Sequence, residues 1–239
     1  MNIATILISY NRPFFVDSAL ASIASQSIVD DIYCIVVDDN SNAKTVDTIL
    51  SYKDKFPKFD IVQISPKKEE DRYTTNRVAI AVNFGLKHLW NQNINIPYVS
   101  YLADDDLFYP TRCEKMANYL DNHDDIFFLY HYMKIFRCDN TGIINDLVFD
   151  LNDDWDKTTK YWVEHIGNRI DHCSFMHRDE KMLWPEDSVY RRCSDYGFIL
   201  DCIRNNKKFE SFKEYLGMGR KIRGDSINIE DNIKNRIKL

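Results

Sequence analysis

The sequence predicts one α/β domain with a mostly parallel sheet and helices on both of its faces. Three observations predict it. Short β-branched runs alternate with amphipathic helical stretches through the first half of the chain. Three of those runs end abruptly on polar clusters. A length of 239 residues, 44% hydrophobic and 28% charged, is enough for one full core and near the upper size for a single domain.

Ile3 to Ile8 is continuously apolar apart from Thr5, as a strand buried on both faces should be. Asn11-Arg12-Pro13 then opens a helix, because proline in the first turn gives up an N–H that has no partner there. Val16, Leu20, Ile23 and Ala24 follow at helical spacing. Ile32 to Val37 is the second strand and runs into Asp38-Asp39-Asn40-Ser41. Val46, Ile49 and Leu50 mark a second helix, and Asp60 to Ile64 a third strand. Val78, Ala81, Val82, Gly85, Leu86 and Leu89 give the next helix one apolar face. Tyr98 to Leu102 is a fourth strand that delivers Ala103-Asp104-Asp105-Asp106. In such sheets ligands collect beyond the carboxyl ends of the strands, so Ser9-Tyr10-Asn11-Arg12, Asp38 to Ser41 and Asp104 to Asp106 are expected to meet in one crevice.

After Pro110 the pattern changes. A helix through Leu120 precedes an aromatic run, Ile126 to Tyr132, and Asn140-Thr141-Gly142 reads as a hairpin tip in an acidic stretch. Arg169 to Arg178 is dense in polar side chains, and Asp195 precedes a last helix, Tyr196 to Arg204. The chain beyond Gly217 is polar and is expected to be a mobile tail that orders over the ligand.

Bulk properties narrow the function. A formal charge of -6 disfavours a general nucleic-acid binder, which needs a basic surface. A bound dication still allows a nucleotide ligand by neutralising its phosphates. The first apolar run is too short for a membrane span and has no signal-peptide pattern, so a cytoplasmic protein without a transmembrane segment is expected. The six cysteines form no C-x-x-C pair and read as small buried hydrophobes. A zinc site from His172, Cys173 and His177 would match no common spacing.

Asp104, Asp105 and Asp106 repel one another unless a cation or hydrogen bonds stabilise them. Mg²⁺ and Mn²⁺ take one or two carboxylates plus substrate phosphates, and as Lewis acids they stabilise a departing diphosphate. The alternative is an acidic turn or helix cap. Asp38 to Ser41 reads equally as a turn or as a carboxylate accepting a base N–H, a contact uracil and thymine would share.

Ile8-Ser9-Tyr10-Asn11-Arg12, Val37-Asp38-Asp39-Asn40-Ser41 and Ala103-Asp104-Asp105-Asp106 resemble the three signatures of family 2 glycosyltransferases, which have the Rossmann-like GT-A fold. Thr75-Asn76-Arg77 through Asn83, and Ile170-Asp171-His172-Cys173-Ser174-Phe175-Met176-His177-Arg178, are most similar to the spore-coat polysaccharide (SpsA-like) branch of that family. The likeness spans about residues 3 to 205, with interruptions. It implies a single GT-A domain over 1–239, with a nucleotide-binding half at 1–106 and an acceptor-binding half at 107–239 built on a smaller mixed sheet. It further implies that Asp39 holds the pyrimidine, with Ser9 and Asn11 lining the nucleotide site and Arg77 beside base and phosphates. Asp104 would contact the ribose region and Asp105 would ligate Mn²⁺ or Mg²⁺. Asp106 would be a second ligand, although similar sequences tolerate asparagine there.

Asp195 would be the general base, its alternative being the N-cap of the helix that follows. Asp171 and His172 would shape the acceptor side, with Glu186 and Asp187 as a second base candidate. The implied activity is inverting transfer of a sugar from a UDP- or dTDP-sugar to a carbohydrate or other hydroxyl acceptor, in surface or spore-coat polysaccharide synthesis. A sugar-phosphate nucleotidyltransferase would share much of the fold, but Ser9 to Phe14 lacks the glycine-rich loop it needs. A relative that binds nucleotide without transferring sugar is the other alternative. Trp155, Tyr161, Trp162, Trp184 and Tyr190 read either as sugar-stacking platforms or as core.

Overall fold

The apolar run at the N-terminus becomes β1 (Ile3–Ser9), an interior strand of the sheet. A computed structural model describes residues 3–65, 75–139, 141–190 and 193–222. From β1 the chain passes through α1 (Pro13–Ala24), β2 (Ile32–Asp38), α2 (Ala43–Leu50), β3 (Lys58–Gln63), α3 (Arg77–Asn91) and β4 (Tyr98–Ala103). Then follow β5 (Leu107–Phe108), α4 (Arg112–Asp121), β6 (Phe128–Cys138), β7 (Ile144–Leu151), α5 (Lys157–His165), β8 (Phe175–Arg178), α6 (Ser194–Arg204) and β9 (Phe209–Ile222).

The sheet runs β3-β2-β1-β4-β8-β6-β9-β5, with β7 paired to β6. The first four strands are parallel, as the alternation of strand and helix requires. The chain steps outward from β1 to β3 and returns through α3 to β4 on the other side of β1. That reversal is the place where open α/β sheets bind ligands. The second half is mixed: β8 is antiparallel to both β4 and β6, whereas β9 runs parallel to β6.

Alternation along β1 divides the core into two layers. Ala4 and Ile6 pack with Ala79, Val82 and Leu86 of α3 and with Phe198, Ile199 and Cys202 of α6. Ile3 and Leu7 pack on the opposite face with Val16, Leu20 and Ile23 of α1 and Met116 and Leu120 of α4. Ile3, Ala4, Ile6 and Leu7 are all fully buried, so this strand tolerates no charge on either face. Among the described residues, no helix is long and apolar enough to cross a membrane.

Asn42 caps α2, its Oδ1 accepting the Thr45 amide at 3.0 Å. Two boundaries differ from those expected. Helix α6 starts at Ser194 with Cys193 as its N-cap, so Asp195 lies in the first turn and is not the cap. Strand β9 continues to Ile222, through the Gly217-Met218-Gly219-Arg220 stretch expected to begin the tail. The expectation of a tail ordering over the ligand, and Asn140 of the hairpin tip, lie outside the described residues.

Candidate active site

The carboxyl ends of β1, β2 and β4 are stitched together by the backbone. The Asp39 amide donates to the Ser9 carbonyl at 2.9 Å, and the Asp104 amide to the Ile8 carbonyl at 3.1 Å. The loop after β1 needs a left-handed residue, and Asn11 supplies it at φ 52°, a conformation asparagine adopts more readily than most. Its Oδ1 accepts the Asn42 amide at 2.7 Å, and its own amide donates to Ser41 Oγ at 2.9 Å. Asn11 therefore ties the loops after β1 and β2 to each other. The three polar clusters meet at one edge of the sheet.

The two acidic residues after β2 divide their work. Asp38 is buried and closes its own turn, accepting the Ser41 amide and Gln63 Nε2. Asp39 projects beyond the strand and forms an ion pair with Arg77 at the start of α3, whose Nε donates to Asp39 Oδ2 at 2.6 Å. The pair brings two expected nucleotide-site residues into contact from opposite ends of the β2–α3 segment. Ser9 Oγ is buried and has no partner among the described residues.

The aspartate triplet is not uniform. Asp104 is buried, accepting the Tyr10 amide on Oδ2 at 2.9 Å and Arg12 Nη1 on Oδ1 at 3.0 Å. Burial and the neighbouring Asp105 charge raise its pKa to about 6, against the opposing pull of Arg12 and the Tyr10 amide. Asp105 accepts the same Arg12 nitrogen on Oδ2 at 2.9 Å and keeps 20% of its side chain exposed. Asp106 turns inward. Its Oδ1 accepts the Arg220 amide at 2.8 Å and its Oδ2 the Cys173 thiol at 2.9 Å. Burial, with the charges of Asp105 and Asp171, pushes its pKa well up and favours the neutral acid. Of the two carboxylates expected to hold a metal, Asp105 keeps part of its side chain exposed, whereas Asp106 has both oxygens committed within the protein.

One guanidinium nitrogen of Arg12 sits between carboxylate oxygens of Asp104 and Asp105, so this acidic pocket already takes a positive charge. The donor set is all oxygen and suits Mg²⁺ or Mn²⁺.

The side expected to take the acceptor is built on a short 3₁₀ turn, His172–Ser174, immediately before β8. Asp171 caps it, accepting the Cys173 amide at 3.0 Å. His172 Nδ1 lies 3.6 Å from Asp171 Oδ1, and its buried Nε2 has no partner among the described residues. Asp195 is 9% exposed and accepts Asn168 Nδ2 at 2.9 Å and the Tyr196 amide at 2.9 Å. Burial raises its pKa to about 6; His172 lowers it and Asp171 raises it by smaller amounts. Those electrostatic couplings put Asp171, His172 and Asp195 in one neighbourhood.

Buried polar contacts hold this turn against the triplet. Arg112 is fully buried and donates to the carbonyls of Cys173 (3.1 Å) and Phe175 (2.9 Å), to Ser100 Oγ (2.7 Å) and to His131 Nε2 (3.0 Å). His131 stays neutral because burial, and then the Arg112 charge, lower its pKa to about 3. Cys173 Sγ also accepts the Ala103 amide at 3.3 Å, so the turn is anchored on both sides of Asp104, at Ala103 and at Asp106.

His177 does not join a zinc set with His172 and Cys173. It is buried, with Nε2 against Tyr101 Oη at 2.8 Å and Nδ1 against the Arg178 carbonyl at 2.7 Å. Asp171, His172 and Cys173 do place ligand atoms within 4.8 Å of one another, but the Cys173 thiol is engaged by Asp106 and burial pushes its pKa well up. Glu186 docks on α3, its Oε1 accepting Asn83 Nδ2 at 2.9 Å, and the Asp187 carbonyl lies beside Asn76. Trp184 is core, Trp155 stacks on Phe209 at 4.5 Å, and Tyr161 and Trp162 are exposed on α5.

Sequence reasoning assigned no site role to Arg12, Arg220, Arg112 or Asn168. Arg12 stood in a quoted motif. Gly217-x-Gly219 was a packing signal: a Cβ on Gly219 would lie 3.1 Å from Ile135 and Met133, so glycine lets β9 pack closely on β6 and bring Arg220 to the triplet. Arg112 carried no signal, since a helical arginine normally reads as surface.

Comparison with known proteins agrees with this geometry. The model of the family "Glycosyl transferase family 2" matches residues 5–183. The chain is 25% identical over 240 residues to an uncharacterized glycosyltransferase of Methanocaldococcus jannaschii, covering 99% of this chain and 74% of that protein. Among solved structures, S. aureus TarS in complex with UDP superposes with a TM-score of 0.67 at 16% identity, over 92% of this chain and 61% of that one. A mannosyltransferase of Pyrobaculum calidifontis, in complex with GDP-Man and Mn²⁺, superposes with a TM-score of 0.59 at 14% identity, over 91% of this chain and 56% of that one. The chain thus spans little more than half the length of these structural neighbours, and the likeness to them establishes the GT-A fold. With three quarters of its length matched by the family model, the chain belongs to glycosyltransferase family 2.

Proposed function

We propose that the protein is a metal-dependent, inverting glycosyltransferase that moves a sugar from a UDP- or dTDP-sugar to an acceptor hydroxyl in surface polysaccharide synthesis, working from the cytoplasm. The observation that carries this reading is the contrast between two carboxylates, Asp105 just beyond β4 and Asp195 in the first turn of α6. Asp105 is partly exposed and already paired with a cation, whereas Asp195 is buried with its pKa raised to about 6. The first suits a metal and the second suits a base.

Asp39 and Arg77 would separate from each other to take the base and the phosphates, Asp39 accepting the pyrimidine N3–H. Ser9 and Asn11 line the nucleotide, and Asp104, fixed by the Tyr10 amide, contacts the ribose region. Asp105 would hold Mn²⁺ or Mg²⁺, which supplies charge stabilisation for the leaving diphosphate. Asp195, oriented by Asn168, takes the proton of the acceptor hydroxyl. The acceptor oxygen forms a bond to the anomeric carbon as the bond from that carbon to the diphosphate breaks on the opposite face. A base with pKa near 6 is ionised at neutral pH yet more basic than an ordinary carboxylate, which favours that proton transfer. Asp171 and His172 border the acceptor.

The reading is supported by the relatives as well: TarS is in complex with UDP and with UDP-GlcNAc, and the Pyrobaculum enzyme with Mn²⁺. Calorimetric titration of UDP and dTDP, with and without Mn²⁺, tests it. Metal-dependent micromolar binding that Asp105→Ala abolishes is expected, and the better pyrimidine identifies the donor class. Absence of nucleotide binding under every metal condition contradicts it.

A further inference from the structure

Two arginines balance the aspartate triplet, and they are held in different ways. Arg220 is locked. It is 6% exposed, its Nε donates to the Asp105 carbonyl, its Nη2 to Ser18 Oγ at 2.8 Å, and its guanidinium lies 4.9 Å above the Phe15 ring. Arg12 keeps 26% of its side chain exposed and reaches the triplet through Nη1, which bridges Asp104 Oδ1 and Asp105 Oδ2. A dication held by Asp105 would have to displace that nitrogen from the carboxylate. A guanidinium and a dication cannot both sit there, because like charges a few ångströms apart repel.

We propose that Arg12 is an exchangeable counter-ion: it pairs with Asp104 and Asp105 in the empty enzyme, competes with the divalent cation for Asp105, and passes to the donor's diphosphate when cation and nucleotide arrive together. The inference rests on the donor site proposed above. Its chemistry follows from the side chain. A planar, permanently charged fork pairs phosphate as well as carboxylate. Arg12 also directly precedes α1, whose first amides favour an incoming anion. The exchange keeps the triplet neutralised at every stage, and it makes metal binding depend on the nucleotide.

The test is a calorimetric Mn²⁺ titration without nucleotide, on the full chain as wild type, Arg12→Gln, Arg12→Lys and Asp105→Asn, followed by UDP at saturating Mn²⁺. Arg12→Gln is expected to bind Mn²⁺ alone about tenfold more tightly than wild type and UDP–Mn²⁺ about tenfold more weakly. Arg12→Lys, which keeps the charge but not the fork, should fall between the two, and Asp105→Asn should lose Mn²⁺. Unchanged or weaker Mn²⁺ binding by Arg12→Gln, while wild type still binds UDP, overturns the proposal and makes Arg12 a fixed brace. If Arg12→Gln fails to fold by near-ultraviolet circular dichroism, Mn²⁺ affinity of Arg12→Lys equal to wild type overturns it instead. Failure of wild type to bind either UDP or dTDP defeats the donor reading separately, since the gain of Mn²⁺ affinity needs no nucleotide.

Discussion

The two halves of the sheet reach the same site by different physics. On the β2-β1-β4 side, parallel strands buried on both faces are mostly apolar along their length and carry their charged residues only at or just beyond their carboxyl ends, so apolar burial fixes the strands and the ends present the chemistry. On the β8-β6-β9-β5 side, the site is held by buried polar groups. Arg112 clamps the turn that carries His172, and Asp106 joins that turn to β9 through Cys173 and the Arg220 amide. The first half is specified by pattern and the second by particular hydrogen bonds, each costly to lose because its partners are already out of water.

That contrast sets the predictions. Asp195→Asn should lower turnover of a UDP-sugar by about 10²–10⁴-fold while leaving UDP–Mn²⁺ affinity unchanged. A matching loss of nucleotide affinity in the same titration would mean that Asp195 serves the donor half. Arg112→Met leaves two carbonyls, Ser100 and His131 without their donor and should cost about 3–5 kcal/mol in urea denaturation. By comparison Ile6→Val, in the fully buried β1, should cost about 0.5–1.5 kcal/mol. The reverse order would break the distinction between the halves. Gly217→Ala places a Cβ 2.9 Å from the Leu107 carbonyl across the β5–β9 pair and should cost about 1–3 kcal/mol, read from the same curves.

The smallest expected effect has a pH signature. Asp195 holds its proton more tightly folded, with a pKa of about 6, than an unfolded aspartate near 3.9. The folded state therefore binds more protons between those values, and stability falls as pH rises from about 4 to about 6. Above that window the ionised, buried carboxylate costs about 1–3 kcal/mol. Asp195→Asn should accordingly raise the melting temperature by several degrees at pH 7.5 and by much less at pH 4.5. Equal shifts at both pH values would assign the effect to packing.

Much of this was legible in the sequence, and unevenly so. The runs at Ile3, Ile32 and Tyr98 and the clusters after them locate β1, β2 and β4 and their shared edge, because period and abrupt polarity change are local signals. The parallel pairing of β6 with β9 was not legible. Phe128 lies next to Phe209 across a separation no pattern spans, and the register shifts at His131 and Tyr132 hide the alternation. The charge balance of the triplet was half legible: three adjacent aspartates demand cations, yet one of those cations, Arg220, enters from the stretch that reads as a polar tail. Asp106 illustrates the limit most clearly. Its neighbours in sequence make it a metal ligand, while its neighbours in space, Cys173 and Arg220, make it a buried acid.

The central claim is that the donor is held beyond the ends of β1, β2 and β4 with its metal on Asp105. Anomalous scattering from Mn²⁺ in crystals grown with UDP tests it directly. The account predicts one strong peak about 2.0–2.3 Å from an Asp105 carboxylate oxygen, with UDP running from Asp39 to that ion. A peak instead between Asp171, His172 and Cys173, or UDP bound away from Asp39, would contradict it.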